Sequence, residues 1–375
     1  MRFGFDGTPL LGPRTGVGWY TYELIRAVAR QAPTDSVEVL PISWRTARHA
    51  NLGEPHPANV RVLRRVAPAR PLWALWDRFQ FPPIEWLVGC DVFHATNFIA
   101  PPSRRVPVVV TVHDVGFVHH PDQVGPTIRR MAELLPKVLA RAAAVIAVSD
   151  FTRAELVHWQ PSVAGKVTVV PNGGHSRAPA SPCPNDGAGA SGHVPPGDYA
   201  LVLGTLEPRK NLALALDALV VLRDRGVDLR LVLAGAPSPL LDVDALLATR
   251  GLGSDDAVRT GYVDDASAAA LMAGARMLVF PSLYEGFGMP LVEAMEAGVP
   301  VVAVRAGATP ETVGDAAALV DPGDAEGMAA AMEEILSDDT RRTAMVTAGR
   351  VRAAGFSWDR AASATIDVYR RVAGR

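Results

Sequence analysis

The chain has 375 residues, enough for two domains of ordinary size, and 49% hydrophobic against 20% charged residues is globular usage rather than that of a disordered chain. No apolar run approaches the ~18–20 residues of a membrane span, the opening MRFGFDG lacks the apolar region of an export signal, and two cysteines are too few for a disulfide framework or a cysteine-rich zinc site. The net charge of −2 is unevenly spread: residues 1–172 carry 19 Lys+Arg against 13 Asp+Glu, so the basic front half suits an anionic partner or leaflet, and nothing points to nucleic acid.

Along the chain, short β-branched runs alternate with longer helical stretches. In front, strands are expected at Arg2–Asp6, Val37–Ile42, Asp91–His94, Val106–Val112 and Ala144–Val148. Behind, they are expected at Tyr199–Gly204, Leu229–Ala234, Met277–Phe280 and Val299–Val304. Tyr20–Gln31, Leu212–Arg223 and Trp358–Val372 read as helices. Residues 171–197 hold six Pro and six Gly with almost no branched apolar residues, which marks a linker. The expected organisation is a front domain at 1–172, a linker at 173–197 and a rear domain at 198–356, with the last helix, about 357–375, packing back onto the front.

Alternation of β and α predicts an α/β protein with two doubly wound parallel sheets, one per domain, facing a cleft. Ligands of such sheets bind beyond the strand carboxyl ends. There the chain places Asp6-Gly7, His94, His113-Asp114, Ser149-Asp150, Gly204-Thr205, Gly235 and Pro281-Ser282.

Chemistry concentrates in Arg276–Val304, which reads as strand, loop Ser282–Gly288, helix from near Pro290 to Gly298, and strand. Gly286 and Gly288 let backbone amides approach a ligand at a helix N-terminus, an arrangement suited to phosphate. Glu285 in the loop and Glu293 in the first helical turn can accept hydrogen bonds from sugar hydroxyls. Arg209 and Lys210, in the strand-to-helix segment GTLEPRKN, can neutralise a diphosphate, Arg through its planar fork and Lys as a point charge.

YEGFGMPLVEAMEAGVPVV together with GTLEPRKN strongly resembles glycosyltransferase family 4 of the retaining GT-B class. GPRTGVGWYTYEL, DVFHATN, VVVTVHDV, AVSDFTR and VVPNG extend the resemblance over essentially the whole chain, and TVHDV with GTLEPRKN is most similar to bacterial mannosyltransferases of polysaccharide and O-antigen assembly. The resemblance implies transfer of a hexosyl group, mannose favoured, from a nucleotide-diphosphate sugar to a sugar, glycan or lipid-linked hydroxyl. It implies that Glu293 holds the ribose, that Glu285 lies against the transferred sugar, and that Phe287, Gly288, Met289 and Leu291 line the sugar and phosphates. Arg209, Lys210 and Thr205 would grip the diphosphate, the Gly16-Val17-Gly18 loop would approach it, and His113 would contact the donor sugar near the reacting carbon. Gly261-Tyr262-Val263-Asp264-Asp265 matches the base-binding turn. Asp265 suits the two donors of guanine, so GDP-mannose is expected ahead of UDP-sugars, with no cofactor or metal.

An inverting reaction needs a side-chain base for the acceptor hydroxyl; the resemblance puts a histidine of inverting relatives in the loop Thr8–Gly18, which contains none here, so retention is expected. Gly16-Val17-Gly18 does not complete a dinucleotide fingerprint, and Asp242-Val243-Asp244 reads as an acidic helix start rather than a metal motif. His119-His120 reads as loop, and Trp73, Trp76, Phe79, Phe81 and Trp86, interleaved with Arg70 and Arg78, suit either core packing or a membrane surface. The chain is expected at the cytoplasmic side, with peripheral membrane contact in view. Rival readings are another GT-B enzyme, such as a UDP-sugar transferase, phosphorylase or epimerase, and a non-enzymatic two-domain sugar-binding protein. Only Lys137, Lys166 and Lys210 are available to a Schiff-base phosphorylase. Oligomeric state and acceptor leave no pattern in the sequence.

Overall fold

The computed structural model describes residues 1–12, 14–43, 52, 56–63, 69–174 and 197–374. Most of the Pro/Gly-rich linker and parts of the stretch 44–68 lie outside the described residues. The chain divides into two units: unit 1 comprises residues 1–173 and 356–375, and unit 2 comprises 174–355.

Unit 1 contains β1 (Arg2–Asp6), α1 (Gly16–Gln31), β2 (Ser36–Leu40), β3 (Val60–Val62), α2 (Ala69–Phe79), β4 (Val92–Ala95) and β5 (Val108–Val112). It continues with α3 (Gly116–His119), α4 (Pro126–Arg141), β6 (Ala144–Ala147), α5 (Asp150–Trp159) and β7 (Val167–Val169). Its seven strands run in the order β3-β2-β1-β4-β5-β6-β7, all parallel. The central strands β4, β5 and β6 are buried throughout, as strands covered by helices on both faces must be.

Unit 2 contains β8 (Tyr199–Leu203), α6 (Leu212–Asp224), β9 (Arg230–Ala234), α7 (Val243–Ala248), β10 (Ala257–Gly261), α8 (Asp265–Gly274) and β11 (Met277–Phe280). Then come α9 (Met289–Ala297), β12 (Val301–Val304), α10 (Thr309–Val313), β13 (Ala318–Val320), α11 (Ala325–Ser337) and α12 (Asp339–Ala353). The six strands run β10-β9-β8-β11-β12-β13, again all parallel. Side chains cap several helices, with Asp242, Asp264 and Asp324 accepting from backbone N–H groups at the starts of α7, α8 and α11. Asp242-Val243-Asp244 is thus a helix start.

The last helix, α13 (Trp358–Val372), belongs to unit 1 and packs along α1. Ser357 caps it, and Ala361, Ala362, Thr365, Ile366, Val368 and Tyr369 form its buried face. This amphipathic stripe explains why residues so far from the first domain in sequence complete its core.

Three local expectations need correction. Gly16-Val17-Gly18 is not a loop but the first turn of α1, which starts four residues before Tyr20. A Cβ on Gly18 would sit 2.9 Å from the Pro9 carbonyl, so a glycine is what lets the helix start against that turn. His94 lies inside β4, fully buried, rather than at a strand's open end. His119 ends the short helix α3 and pairs with Glu155.

Candidate active site

In doubly wound sheets the ligand crevice opens where the strand order reverses. In unit 2 that point lies between β8 and β11. The two segments leaving their carboxyl ends are 204–211 and 281–288, the two that carry the cations and Glu285. Topology thus brings together residues 75 apart in the chain.

The geometry is tight. Lys210 Nζ lies 2.6 Å and Arg209 Nη1 3.2 Å from the same oxygen, Glu285 Oε1. Arg209 also donates to the Tyr284 carbonyl at 3.1 Å and to Glu207 Oε2 at 3.1 Å, while Leu283 N–H donates to the Arg209 carbonyl at 2.9 Å. The Lys210 ammonium stands 5.2 Å from the centre of the Phe280 ring. Glu285 is only 8% exposed. Burial would raise its pKa, but the charges of Lys210 and Arg209 outweigh burial and hold it at about 2. Burial, with the charge of Arg209, lowers the pKa of Lys210 although Glu285 opposes the shift. Such a cation gains from an additional anion, and a phosphate is one.

Close backbone packing holds the Glu285 segment in place. Gly288 has φ +87° and precedes α9, whose first turn holds Pro290 and no side-chain cap. Gly307 has φ +58°, and a Cβ there would lie 2.7 Å from Glu285 N. Next to it, Ala308 N–H donates to the Glu285 carbonyl at 2.9 Å. Thr312 Oγ1 donates to the Phe287 carbonyl at 2.6 Å. Glu293 is buried on the fifth residue of α9, so it sits in the second turn rather than the first. Leu291 and Phe287 are buried beside it in sequence, and Met289 opens the helix. Thr205 follows β8, and Gly235 faces it so closely that a Cβ would lie 1.8 Å from the Gly204 carbonyl oxygen. Gly307, Ala308, Thr312, Gly235 and Tyr284 supply this framework, and sequence reading singled out only Gly235 of them. The left-handed Gly307 in the segment RAGATPE was the available signal.

Gly261 ends β10 at φ +71°, Tyr262 is half exposed, and Val263 leads to Asp264, which caps α8 by accepting from Ser267 N–H. Asp265 is the first residue of that helix.

In unit 1 the strand order reverses between β1 and β4, and His113 follows β5, one strand further on. His113 Nε2 lies 2.8 Å from the Thr96 carbonyl, which only accepts, so Nε2 carries the proton and Nδ1 is the accepting nitrogen. Burial lowers its pKa, favouring the neutral ring. Gly16 and Gly18 occupy the N-terminal turn of α1.

Two parallel doubly wound units, with clustered cations and carboxylates at a strand-order reversal in the second, are the architecture of the GT-B fold, and the comparisons with known proteins give it the class of a glycosyltransferase. Residues 14–174 match the family described as Glycosyltransferase Family 4, and residues 190–352 match Glycosyl transferases group 1. The chain is 31% identical over 396 residues to the O-antigen chain mannosyltransferase B of Escherichia coli, covering 99% of this chain and 100% of that one. It is 36% identical over 234 residues to a phosphatidyl-myo-inositol mannosyltransferase of Mycolicibacterium smegmatis, covering 61% of this chain and 57% of that one. Among solved structures, a sucrose-phosphate synthase of Thermosynechococcus elongatus superposes with a TM-score of 0.75 at 21% identity, covering 99% of this chain and 98% of that one. HepE of Anabaena in complex with UDP-glucose gives 0.69 at 21% identity, covering 100% and 98%. The chain belongs to glycosyltransferase family 4. It is an enzyme of sugar transfer.

Proposed function

We propose that the chain is a retaining mannosyltransferase using GDP-mannose as donor and a sugar or lipid-linked glycan hydroxyl as acceptor. The observation that carries the reading is the convergence of Lys210 and Arg209 on one oxygen of buried Glu285. An arriving diphosphate would take the cations, releasing Glu285 to bind the hydroxyls of the transferred sugar. The names of the relatives, all mannosyltransferases among those given above, support mannose. Asp265 at the start of α8 supports guanine through its carboxylate.

In this reading the bond from the sugar's anomeric carbon to the diphosphate oxygen breaks, and the acceptor oxygen bonds to the same face. The acceptor proton passes to the departing phosphate oxygen. Arg209, Lys210, Thr205 and the backbone around Phe287, Gly288 and Met289 stabilise the negative charge that develops there. Glu293 takes the ribose hydroxyls, with Leu291 packing beside it. Tyr262 and Val263 receive the base. In unit 1 the reading assigns donor-sugar contact to His113 and phosphate approach to Gly16 and Gly18. No metal enters the scheme. Purified protein incubated with GDP-mannose and a mannoside acceptor is expected to give a product of the donor's own anomeric configuration by NMR. GDP-mannose is also expected to raise the melting temperature more than UDP-glucose does. An inverted product would end the retaining assignment, and a larger shift with UDP-glucose would end the donor assignment.

Peripheral attachment to an anionic leaflet belongs to the same proposal. Among the described residues no helix is long and apolar enough to cross a membrane. Trp76 is buried, but Leu75, Phe79, Phe81 and Trp86 are exposed, Phe79 and Trp86 by more than 60%. Arg78 lies over the Phe79 ring, and exposed Arg104 and Arg105 sit on a loop whose backbone is held by Glu85, next to Trp86. Aromatic side chains among cations fit the interfacial layer of an anionic bilayer. Sedimentation with phosphatidylglycerol vesicles is expected to carry the protein down, and Phe79→Ser with Trp86→Ser to cut the bound fraction at least ~5-fold. Equal sedimentation of the double variant would remove this surface from consideration.

A further inference from the structure

Near His113, the core of unit 1 holds a continuous chain of side-chain hydrogen bonds that the reaction itself does not require. Tyr369 Oη lies 2.6 Å from His94 Nδ1, His94 Nε2 lies 2.7 Å from Thr111 Oγ1, and Thr111 Oγ1 lies 2.8 Å from Tyr20 Oη. The four residues come from α13, β4, β5 and α1, and none is more than 2% exposed. Polar groups in so dry a place need one another, because an unmatched member bears its full desolvation cost. Burial, with a smaller contribution from the neighbouring His113, brings the His94 pKa down to about 3. The ring is therefore neutral, donating through one nitrogen and accepting through the other. The chain of bonds runs in one sense at a time, and loss of any member disturbs the rest.

Tyr20 is the end of this chain that reaches the site. Its ring meets the His113 ring edge-on, with centroids 4.6 Å apart, and meets Trp358 at 5.8 Å. Trp358 in turn packs on Gly173, where a Cβ would lie 2.4 Å from the Trp358 backbone nitrogen. Gly173 is the last residue of unit 1 before the chain leaves it, and Trp358 follows closely after the chain returns. Among the described residues the His113 side chain is anchored by a hydrogen bond to the Thr96 carbonyl at 2.8 Å, and the Tyr20 ring is a second restraint. That ring is fixed through its hydroxyl by residues that include the C-terminal helix.

We propose that Tyr20 is a positioning residue for His113, and that the chain Tyr369–His94–Thr111–Tyr20 makes the placement of the His113 ring depend on the seating of α13. The consequence for turnover rests on the reading of His113 as a group at the donor sugar. Loosening the chain leaves the phosphate and ribose contacts of unit 2 intact, so it slows the chemical step more than it weakens donor binding.

The test uses the full chain labelled with ¹⁵N-histidine, in which nine histidines give a tractable spectrum. Thr111→Val cuts the chain between His94 and Tyr20 with little change of shape, and Tyr369→Phe removes its far end. Both variants are expected to shift the His113 ring resonances. Each is expected to lower kcat for GDP release from GDP-mannose about 10-fold, with KM for GDP-mannose within about twofold. Ile84→Val, a buried change before β4 in a core cluster that includes none of the four chain residues, controls for loss of stability alone and is expected to move neither. His113 resonances unmoved in both chain variants, or moved as far by Ile84→Val, would overturn the proposal. Shifted resonances with unaltered turnover would uphold the positioning and reject His113 as a group at the reacting sugar.

Discussion

Replacing Lys210 by alanine is expected to lower kcat ~10²–10³-fold, the range found when one prearranged donor to a developing negative charge is removed. The ammonium is the shorter of the two contacts to Glu285 Oε1, at 2.6 Å against 3.2 Å for Arg209, and it is the more buried cation. Its removal leaves a buried carboxylate with Arg209 as its remaining cation, so stability falls as well. Breaking a buried pair costs about 3–5 kcal/mol, and the remaining guanidinium places this variant near the lower end. The two effects separate by measuring turnover well below the variant's melting temperature. The pH dependence has a definite sign. Because the folded-state pKa of Glu285 is depressed to about 2, its contribution to stability is complete above the ordinary carboxylate range and is lost as pH falls toward that value. Lys210→Ala therefore moves acid unfolding to higher pH. Turnover within threefold of the parent enzyme would remove Lys210 from the catalytic machinery.

The second large effect is expected from a single methyl group. Gly307→Ala places a Cβ 2.7 Å from the nitrogen and 2.8 Å from the carbonyl oxygen of Glu285, at a φ of +58° that alanine resists. Neither contact is with a flexible side chain, so the backbone must move. Overpacking of this kind costs typically about 1–3 kcal/mol. The left-handed backbone adds about 1 kcal/mol more. For a unit of this size that lowers the melting temperature by roughly 5–12 °C. Displacing Glu285 relative to Lys210 also reduces turnover, and a 1 Å misplacement can cost ~10²-fold. Calorimetry and turnover on the same preparation check both parts. A variant that melts and turns over like the parent would show that the 307–308 segment does not hold Glu285 in place.

The strands that sequence reading found are the inner strands of the two sheets. Val108–Val112, Met277–Phe280 and Val301–Val304 are buried at every position because helices lie above and below them, and apart from Thr111 their residues are apolar. The four it missed, β3, β7, β10 and β13, are the outer strands of the two sheets. Each is partly solvated, as in the Val167–Val169 strand where no residue is fully buried, and β3, β7 and β10 carry a polar residue within the run. The site divides in the same way. The cations and Glu285 were legible because charged residues in apolar, glycine-rich surroundings stand out, and in the folded unit they are in contact. The glycines of α1 misled, since a glycine pair suggests a loop and nothing local announces that Gly18 has to pass under the Pro9 carbonyl. His94 misled for another reason. Its partners, Thr111 and Tyr369, lie 17 and 275 residues away, and no local pattern encodes such a pairing.

Because α13 belongs to unit 1 while all of unit 2 precedes it in the chain, synthesis and folding run out of step. Domains ordinarily fold in the order in which they leave the ribosome. Here unit 1 waits for residues made after unit 2, and until Tyr369 emerges the His94 Nδ1 lacks its partner in a half-built core. A nascent chain stalled after residue 355 would hold a complete second unit beside an unfinished first one. A premature stop within α13 before Tyr369 would thus act as a folding lesion in unit 1, far upstream in the chain.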